Sequence, residues 1–225
     1  MESNNLEKFE FTGDWTTAPA VSIRTAFDNA ANDQHKLPEW VLELKGMSGK
    51  KYRKFVNNLL GSLTDVRYLE IGVWAGSTAC AALYGNRLRV VCADNWSGFG
   101  GPKDVFFSNI DKLKSPDIDF SFIENDFRAI DYNNIGKFNC YMFDGPHSEQ
   151  DQYDALNLAM PALDDEFIFI VDDWNYTNVS NGTMSAINNL KLNVIADIKI
   201  LTQYDPPHYE GSDWHNGYGI FLIKK

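Results

Sequence analysis

The sequence has few basic residues for its length. Its 225 residues include 20 Lys and Arg against 31 Asp and Glu, which gives a formal net charge of -11 and a pI near 4.7. Nucleic acids are bound mainly through clustered positive charge. The overall balance therefore disfavours a nucleic acid partner, although it leaves room for a local basic patch.

Cysteines and long apolar runs are also scarce. The three cysteines, Cys80, Cys92 and Cys140, lie in apolar segments without metal-ligand spacing, so neither a disulfide framework nor a zinc site is expected. The longest strongly apolar run, "FIFIV" at 167–171, is too short to cross a bilayer. The start "MESNNLEKFE" lacks the basic and then apolar pattern of a signal peptide. These absences predict buried, reduced thiols and a cytoplasmic protein with no membrane attachment.

Length and composition favour one main α/β domain. With 44% hydrophobic and 14% aromatic residues, the chain can bury a full core. Residues 1–45 are polar and have no sustained hydrophobic period, which predicts an N-terminal extension or lid. Residues 46–225 are predicted to form the main domain.

A helix with one basic face is predicted to begin near residue 50. Apolar residues from Tyr52 to Leu60 recur at helical spacing and form one stripe. The other face carries Lys50, Lys51, Arg53 and Lys54. The sequence leaves two interpretations open, a solvated surface and contact with a phosphate or acidic substrate.

Short apolar runs then alternate with helical segments. Near-continuous apolar strands separated by helices are typical of a parallel sheet covered on both faces. The last connection has turn residues and no helical period, which favours an antiparallel final strand. We therefore predict a doubly wound α/β fold with a seven-stranded, mostly parallel sheet. The predicted strands are 66–71, 88–93, 120–124, 138–143, 167–171, 194–201 and 218–223.

The first of these strands ends in a glycine loop, "LEIGVWAGST". Ligands of such sheets bind at the carboxyl ends of the strands, where glycine lets the backbone approach a ligand closely. A dinucleotide fingerprint would have glycine where Trp74 stands, so a pyrophosphate site is disfavoured. A plain tight turn is the alternative. The candidate ligand-binding residues here are Glu70, Gly72, Gly76 and Ser77.

The next two strand ends also carry acids. Asp94 follows the glycine loop by about 20 residues, the spacing of an acid that binds ribose hydroxyls. Trp96 could lie on an adenine ring, and Asp126 could bind its amino group. The alternative roles are a helix-capping Asp94 and a turn-forming Asp126.

Together, these residues resemble the cofactor site of class I S-adenosylmethionine-dependent methyltransferases. The resemblance covers the chain from about Ser48 to the C-terminus and implies a Rossmann-like methyltransferase fold. It also implies that the acid-x-Gly-x-x-x-Gly loop at Glu70 contacts the amino-acid part of the cofactor, while Asp94 holds the ribose. Trp74 departs from the commonest loop pattern, which has a central glycine.

A second group of acids follows the fourth and fifth predicted strands, in "FDGPH" and "VDDW". Asp144, Asp172 and Asp173 would converge because these two strands are neighbours in the fold that the chain resembles. Clustered carboxylates repel one another unless a cation lies among them, and oxygen ligands select Mg²⁺ or a similar ion. The segments resemble those of metal-dependent O-methyltransferases, including macrolide sugar methyltransferases.

This second resemblance implies roles for four residues. Asp144, Asp172 and Asp173 would bind the metal, which would activate an acceptor hydroxyl. His147 would act as general base beside Asp144. The alternatives are a strand-ending turn at the paired acids and a helix cap at Ser148.

The acceptor and the oligomeric state stay open. A sugar or other polyol is the favoured acceptor, and a homo-oligomer is possible because residues 1–45 could cover a neighbouring copy. A nucleotide- or NAD-binding Rossmann-type enzyme and a non-catalytic S-adenosylmethionine-binding module are the alternatives. His208, Trp214 and His215 precede the last strand and are interpreted as solvent-facing loop residues, with acceptor contact as the alternative.

Overall fold

The structure, a computed structural model, describes residues 6–203 and 213–225. Eight strands in these ranges form one sheet, in the order β1-β7-β8-β6-β5-β2-β3-β4. The strands are β1 (Leu6–Gly13), β2 (Arg67–Ile71), β3 (Leu88–Asp94), β4 (Ile118–Glu124), β5 (Phe138–Phe143), β6 (Leu163–Asp172), β7 (Asn193–Gln203) and β8 (Tyr218–Lys224). The helices are α1 (Ala18–Ala31), α2 (Glu39–Leu42), α3 (Lys50–Ser62), α4 (Ser77–Leu83), α5 (Lys103–Asp111), α6 (Glu149–Ala159) and α7 (Thr177–Asn189).

The predicted doubly wound, mostly parallel architecture is confirmed. β2 pairs in parallel with β3 and β5, β3 with β4, and β5 with β6. The last strand, β8, is antiparallel to both β6 and β7. Because β2 to β6 all point the same way, their carboxyl ends meet at one edge of the sheet, where the predicted site residues lie.

The eighth strand, β1, lies in the N-terminal segment and was not among the predicted strands. It pairs antiparallel with β7, from Leu6 opposite Gln203 to Gly13 opposite Ala196. Its Phe9 and Phe11 rings contact Phe27 of α1 with centroids 5.1 and 5.2 Å apart. The partner strand is distant in sequence, so local periodicity carried no signal for this pairing. A lid role for residues 1–45 and a domain boundary at 45 stay predictions.

The sheet has a separate apolar core on each face. One core joins α1, α3 and α4 to the sheet, with Phe55 and Leu59 fully buried. The other lies under α6 and α7 and contains Phe143 and Phe169. Burying each such side chain stabilises the fold by about 1.5–3 kcal/mol. The two cores fix the strand ends in place from both sides.

Two expectations about the chain's surface and core can be compared with this architecture. Cys80, Cys92 and Cys140 are buried free thiols, as predicted. Within residues 6–203 and 213–225, no helix combines the length and the apolar character needed to cross a bilayer.

Candidate active site at the carboxyl edge of the sheet

The loop between β2 and α4 requires glycine at two positions. Gly72 and Gly76 have left-handed φ angles of +84° and +85°. A Cβ on Gly72 would collide with the backbone carbonyl of Asp144, and one on Gly76 would press on the Phe106 ring. The loop can therefore pass close to the end of β5 only because residue 72 is glycine.

Glu70 is fully buried at the end of β2. Neither of its carboxylate oxygens has a hydrogen-bond partner among the described residues. Burial raises the pKa of Glu70 to about 8, with the Tyr68 hydroxyl acting to lower it and the Asp144 charge making a smaller contribution that raises it. An unpaired buried acid is costly unless a donor or a cation binds it. Glu70 thus fits an ammonium ligand beside the glycine loop.

Asp94 holds the glycine loop from the end of β3. Its Oδ2 accepts hydrogen bonds from the backbone N–H groups of Val73 and Trp74, both at 3.0 Å. Its Oδ1 accepts one from the N–H of Trp96 at 2.8 Å. A carboxylate has about four acceptor positions, so one position remains on Oδ1. Ribose binding by Asp94 stays a prediction, beside the loop-holding role that the structure shows.

The two predicted adenine-binding residues are engaged with neighbouring residues. The Trp96 ring stacks on Phe122 at a centroid distance of 5.5 Å and an interplanar angle of 19°. Asp126 caps a 3-10 turn by accepting the N–H of Arg128 at 2.9 Å, and Asn95 donates to it at 3.2 Å. The turn-forming role of Asp126 is therefore observed. Adenine binding by Trp96 and Asp126 stays a prediction.

Ser77, at the start of α4, contacts the segment that precedes α3. Its Oγ lies 3.1 Å from Oγ of Ser48, and both side chains are buried. The Cα of Gly46 approaches Ser77 so closely that a Cβ there would overlap the serine hydroxyl. Residues 42–48 therefore form a wall beside the glycine loop.

The acids that follow β5 and β6 form a cluster with His147. One potential ligand atom each from Asp144, His147 and Asp173 lie within 4.8 Å of one another. His147 Nε2 is 2.8 Å from Oδ2 of Asp173, and Asn216 donates a 2.7 Å hydrogen bond to Oδ1 of the same carboxylate. Asp173 has a left-handed φ of 58°, a conformation that costs energy for a residue with a side chain. This turn directs its carboxylate to His147.

Burial and mutual repulsion shift the pKa values of this cluster. Burial, and then the charge of Asp173, raise the pKa of Asp144 to about 7. The hydrogen bond that His147 donates to Asp173 raises the pKa of His147. Burial opposes ionisation of Asp173, but the hydrogen bond and charge of His147 outweigh it and lower the pKa. The hydrogen bond between His147 and Asp173 favours the charged form of both groups, whereas burial and the neighbouring charge oppose ionisation of Asp144.

Asp172 is the last residue of β6 and lies buried next to this cluster. It is 5% exposed, and its Oδ1 has no hydrogen-bond partner among the described residues. Burial raises its pKa well above the usual range, and the Asp144 charge adds to this. Asp172 is not a member of the trio of converging ligand atoms, which contains His147 instead. Its role as a metal ligand stays a prediction.

The sequence analysis missed two residues that shape the cluster. Tyr176 stacks on His147 with centroids 5.6 Å apart, and Asn216 orients Asp173. Tyr176 lies three residues after Asp173, so the turn after β6 could have suggested it. Asn216 lies in the connection before the last predicted strand, which has no helical period that could place a residue.

The loop before β8 is only partly described. His208 lies outside the described residues. Trp214 is fully buried and stacks on Phe27 with centroids 5.3 Å apart, so interpreting it as solvent-facing is wrong. His215 is also largely buried, at 9% exposure. The reason is the N-terminal helix α1, whose apolar face covers this loop.

The basic face of α3 is engaged within the chain. Lys50 pairs with Glu43, Lys51 with Asp213 at 3.1 Å, and Lys54 with Asp33. Arg53 is buried, and four acceptors of residues 42–48 surround it. The face is therefore neither a bare solvated surface nor a free row of charges.

Comparison with known proteins places this arrangement in a family context. Residues 69–174, just under half of the chain, match the family model described as "Methyltransferase domain". No curated protein matches the sequence significantly. The matched segment runs from the glycine loop to the acids after β6, so it contains both groups of candidate site residues.

Solved structures share the fold at low sequence identity. TrmN from Thermus thermophilus has a TM-score of 0.56 and 13% identity over 82% of this chain, which spans about half, 51%, of TrmN. A candidate RNA methyltransferase from Pyrococcus horikoshii has a TM-score of 0.54 and 15% identity over 93% of this chain and 98% of its own. An O-methyltransferase from Bacillus cereus in complex with SAH has a TM-score of 0.52 and 14% identity, covering 91% of both chains. The chain thus has the Rossmann-like fold of class I methyltransferases, and its residues 69–174 match the methyltransferase-domain model.

Proposed function

We propose that this protein is an S-adenosylmethionine-dependent O-methyltransferase that uses a divalent metal ion. The acceptor in this proposal is a hydroxyl group of a sugar or another small polyol. One observation carries the proposal: Asp144, His147 and Asp173 converge at the sheet edge where the glycine loop also ends. Gly72 of that loop packs directly against the backbone of Asp144, so the two groups of residues are in contact.

The residues of the glycine loop suit the amino-acid part of the cofactor. Glu70 offers two unpaired oxygens for the ammonium group. Gly72 and Gly76 keep the loop backbone close and unobstructed. Asp94 fixes the loop through Val73 and Trp74 and retains an acceptor position for a ribose hydroxyl. The cofactor, when bound, supplies an electrophilic methyl group.

The acidic cluster suits a hard divalent cation such as Mg²⁺. Asp144 and Asp173 offer oxygen ligands, and Asp172 lies next to them with an unpaired oxygen. Such an ion, when bound, lowers the pKa of a hydroxyl that it contacts. The positive charge of the ion would also offset the negative charge of Asp173, which raises the pKa of Asp144.

His147 is placed to take the acceptor proton. It is half-exposed at the site, and its Nε2 hydrogen bond to Asp173 stabilises the imidazolium that proton transfer produces. The ring is held by stacking on Tyr176. An acceptor can therefore reach His147 from solvent, and the Asp173 carboxylate balances the positive charge that the imidazole gains with the proton.

A nucleic acid acceptor is the second candidate. The acidic net charge disfavoured a nucleic acid acceptor. The chain shares its fold with a candidate RNA methyltransferase from Pyrococcus horikoshii, so net charge alone does not decide against RNA. Acceptor screening therefore includes short RNAs beside sugars and polyols. Exclusive methylation of RNA would overturn the small-molecule part of the proposal.

Calorimetric titration with S-adenosylhomocysteine in the presence of Mg²⁺ tests the core of the proposal, with NAD as the control ligand. We expect one-to-one binding of S-adenosylhomocysteine and none of NAD. Binding of NAD alone would favour a nicotinamide enzyme. If a folded sample binds neither S-adenosylhomocysteine nor NAD, the methyltransferase assignment is wrong.

Turnover then tests the catalytic part. With an acceptor found by screening, His147→Ala is expected to slow methyl transfer about 100-fold or more, while His35→Ala, a histidine between α1 and α2, serves as the matched control. Wild-type turnover by His147→Ala would show that the base assignment is wrong. Cofactor binding without turnover on any acceptor would favour a non-catalytic binding module.

A further inference from the structure

A surface cavity lies at the opposite edge of the sheet from the candidate active site. It is formed by the segment after α1 and the last turns of α3, and it encloses about 380 Å³. α3 ends at Ser62, five residues before β2 begins, so this end of the helix lies where the parallel strands start. Because α3 has 13 residues, its two ends are about 20 Å apart. The cavity is therefore separate from the glycine loop and from the acidic cluster.

Amide side chains dominate the lining of this cavity. The structure describes all eight lining residues, and none of them is a carboxylate or has an apolar side chain. The chain has 31 acidic residues, so a lining without any of them sets this cavity apart from the acidic cluster. The four amides are Asn29, Gln34, Asn57 and Asn58, and the other lining residues are His35, Lys36, Gly61 and Ser62.

The floor of the cavity contains an acceptor without a donor. Asn57 is fully buried, and its Nδ2 donates to the carbonyls of Ala81 and Tyr84 at 2.8 and 2.9 Å. These two bonds fix the amide plane and leave Oδ1 turned away from both carbonyls, with no hydrogen-bond partner among the described residues. Nδ1 of His35 is a second buried lining atom without a partner there. Since buried polar atoms are rarely unpaired, a donor from outside the chain is expected at this floor.

Lys36 is the one permanently charged residue of the lining. Its Nζ donates to the carbonyl of Gly85 at 2.9 Å and to Oδ1 of Asn86 at 2.6 Å. An ammonium group has three N–H donors, so these bonds leave one for a ligand. Phosphate sites generally use several cations or a nest of backbone N–H groups. A single, already engaged cation therefore favours a neutral ligand over a phosphate.

The amides suit a ligand that both donates and accepts hydrogen bonds. Each amide presents N–H donors beside an oxygen acceptor, and a hydroxyl group also does both. A nucleobase has donors and acceptors too, but its flat faces normally stack on aromatic side chains, and the imidazole of His35 is the only ring in the lining. The volume of the cavity falls in the range of small-molecule sites, about 300–1,000 Å³. A compact ring that carries several hydroxyls fits these features best.

We propose that this cavity is a binding site for a neutral sugar or polyol, in which the four amides pair with ligand hydroxyls and Lys36 donates to a ligand oxygen. The site does not depend on the proposed function, because none of its residues lies at the carboxyl edge of the sheet. A sugar bound here is also too far from the glycine loop to receive a methyl group. The site is therefore distinct from any acceptor site.

Titration followed by two-dimensional ¹H–¹⁵N NMR tests the site on the full chain without cofactor. The probes are D-glucose, D-xylose and myo-inositol, and cyclohexanol is the control that has one hydroxyl on an apolar ring. We expect at least one probe to give saturable shifts of the side-chain amide signals of Asn29, Asn57 and Asn58, and cyclohexanol to give none. No saturable shift with any probe, or shifts confined to the surroundings of His147, would overturn the proposal.

Replacing an amide tests whether the lining binds the hydroxyls. Asn29→Leu keeps the size of the side chain and removes its polar atoms, and the Asn29 side chain has no hydrogen bond within residues 6–203 and 213–225. We expect the dissociation constant of the bound probe to rise about three- to tenfold. Gln34→Met, at an exposed lining position, should act in the same direction and serves if the first variant does not fold. Asn189→Leu, an exposed amide at the end of α7, is the matched control and should leave the affinity unchanged.

Equal affinity in wild type, Asn29→Leu and Gln34→Met would show that the amides do not form the site. Charged and planar probes then test the ligand class. If D-gluconate or D-glucose 6-phosphate binds more tightly than D-glucose and Lys36→Gln abolishes the difference, the cavity binds an anion and the neutral-sugar assignment is wrong. Preferential binding of adenosine would likewise assign the cavity to a nucleobase and contradict the proposal.

Discussion

Two regions at the same edge of the sheet differ in how their polar groups are paired. At the end of β3, Asp94 accepts hydrogen bonds from three backbone N–H groups and so holds the glycine loop that follows β2. At the ends of β5 and β6, three carboxylates and one histidine crowd together, and Asp172 retains an unpaired oxygen. The first region is a cradle ordered by backbone hydrogen bonds, whereas the second is a cluster of like charges.

The difference indicates which region tolerates the absence of its ligand. The loop at Gly72 is held in place by the chain itself. In the acidic cluster, the carboxylates oppose one another's ionisation. Burial, together with the charge of Asp173, raises the pKa of Asp144 to about 7. Like charges in a buried site are relieved by a cation or a proton. Changes in the second region should therefore affect metal binding most, and changes in the first should affect cofactor binding and stability.

The largest effect is expected in the acidic cluster. Asp144→Asn removes a charged ligand, so the affinity for Mg²⁺ or Mn²⁺ should fall about 100-fold, because metal sites depend on each charged ligand. Calorimetry with the metal measures this, and Asp154→Asn on α6, a carboxylate that accepts a hydrogen bond from Gln150, is the control. Unchanged metal affinity in Asp144→Asn would contradict a metal site here. The acidic cluster would then not differ from the glycine-loop region in binding a cation.

Glu70 gives the next effect, and its sign depends on pH. Its pKa in the folded protein is about 8, above its usual value of 4.5, so between these pH values the folded state holds a proton that the unfolded state has lost. The free energy of unfolding therefore falls by about 1.4 kcal/mol per pH unit as the pH rises between these values, and stays level above pH 8.

Glu70→Gln should remove this slope and also weaken S-adenosylhomocysteine binding. Denaturant unfolding of wild type and variant from pH 5 to 9 measures the difference. A variant that is more stable at pH 8 but binds ligand poorly would separate folding from function at this residue. Identical slopes for both proteins would show that Glu70 ionises freely.

Asp94→Ala should have a smaller effect. It removes three backbone hydrogen bonds to the loop, which we expect to cost about 1–3 kcal/mol of the free energy of unfolding. Cofactor affinity should fall with it, because the glycine loop loses its anchor. Thermal unfolding with and without S-adenosylhomocysteine measures both. Full affinity in the variant would show that the cradle does not need this acid.

The smallest effect is expected at Trp74. Its indole N–H donates to the carbonyl of Phe99 at 3.0 Å, and Trp74→Phe removes only this bond. We expect a change under about 1 kcal/mol in the free energy of unfolding and about twofold faster release of S-adenosylhomocysteine. Stopped-flow displacement measures the release rate. A much larger change would make Trp74 a principal part of the cradle.

The sequence by itself determined the strands and the residues at their ends. Apolar runs separated by helical segments are local patterns, so the seven predicted strands lie within the observed ones, apart from one residue at the start of β2. Acids and glycines that directly follow a strand are located as soon as the strand is. This is why Glu70, Asp94, Asp144 and Asp173 could be named before their surroundings were known.

Only the tertiary structure decided how these residues are paired. β1 joins the sheet through β7, at the far end of the chain, and Trp214 is buried against Phe27 of the N-terminal helix. Arg53, one of four basic residues on a helix face, is directed inward onto carbonyls that lie outside its own helix. Such contacts join residues distant in sequence or turned by the packing, and local periodicity has no information about them. Burial then sets the charge state of Glu70 and Asp144, because the cost of a buried charge depends on what the completed fold places beside it.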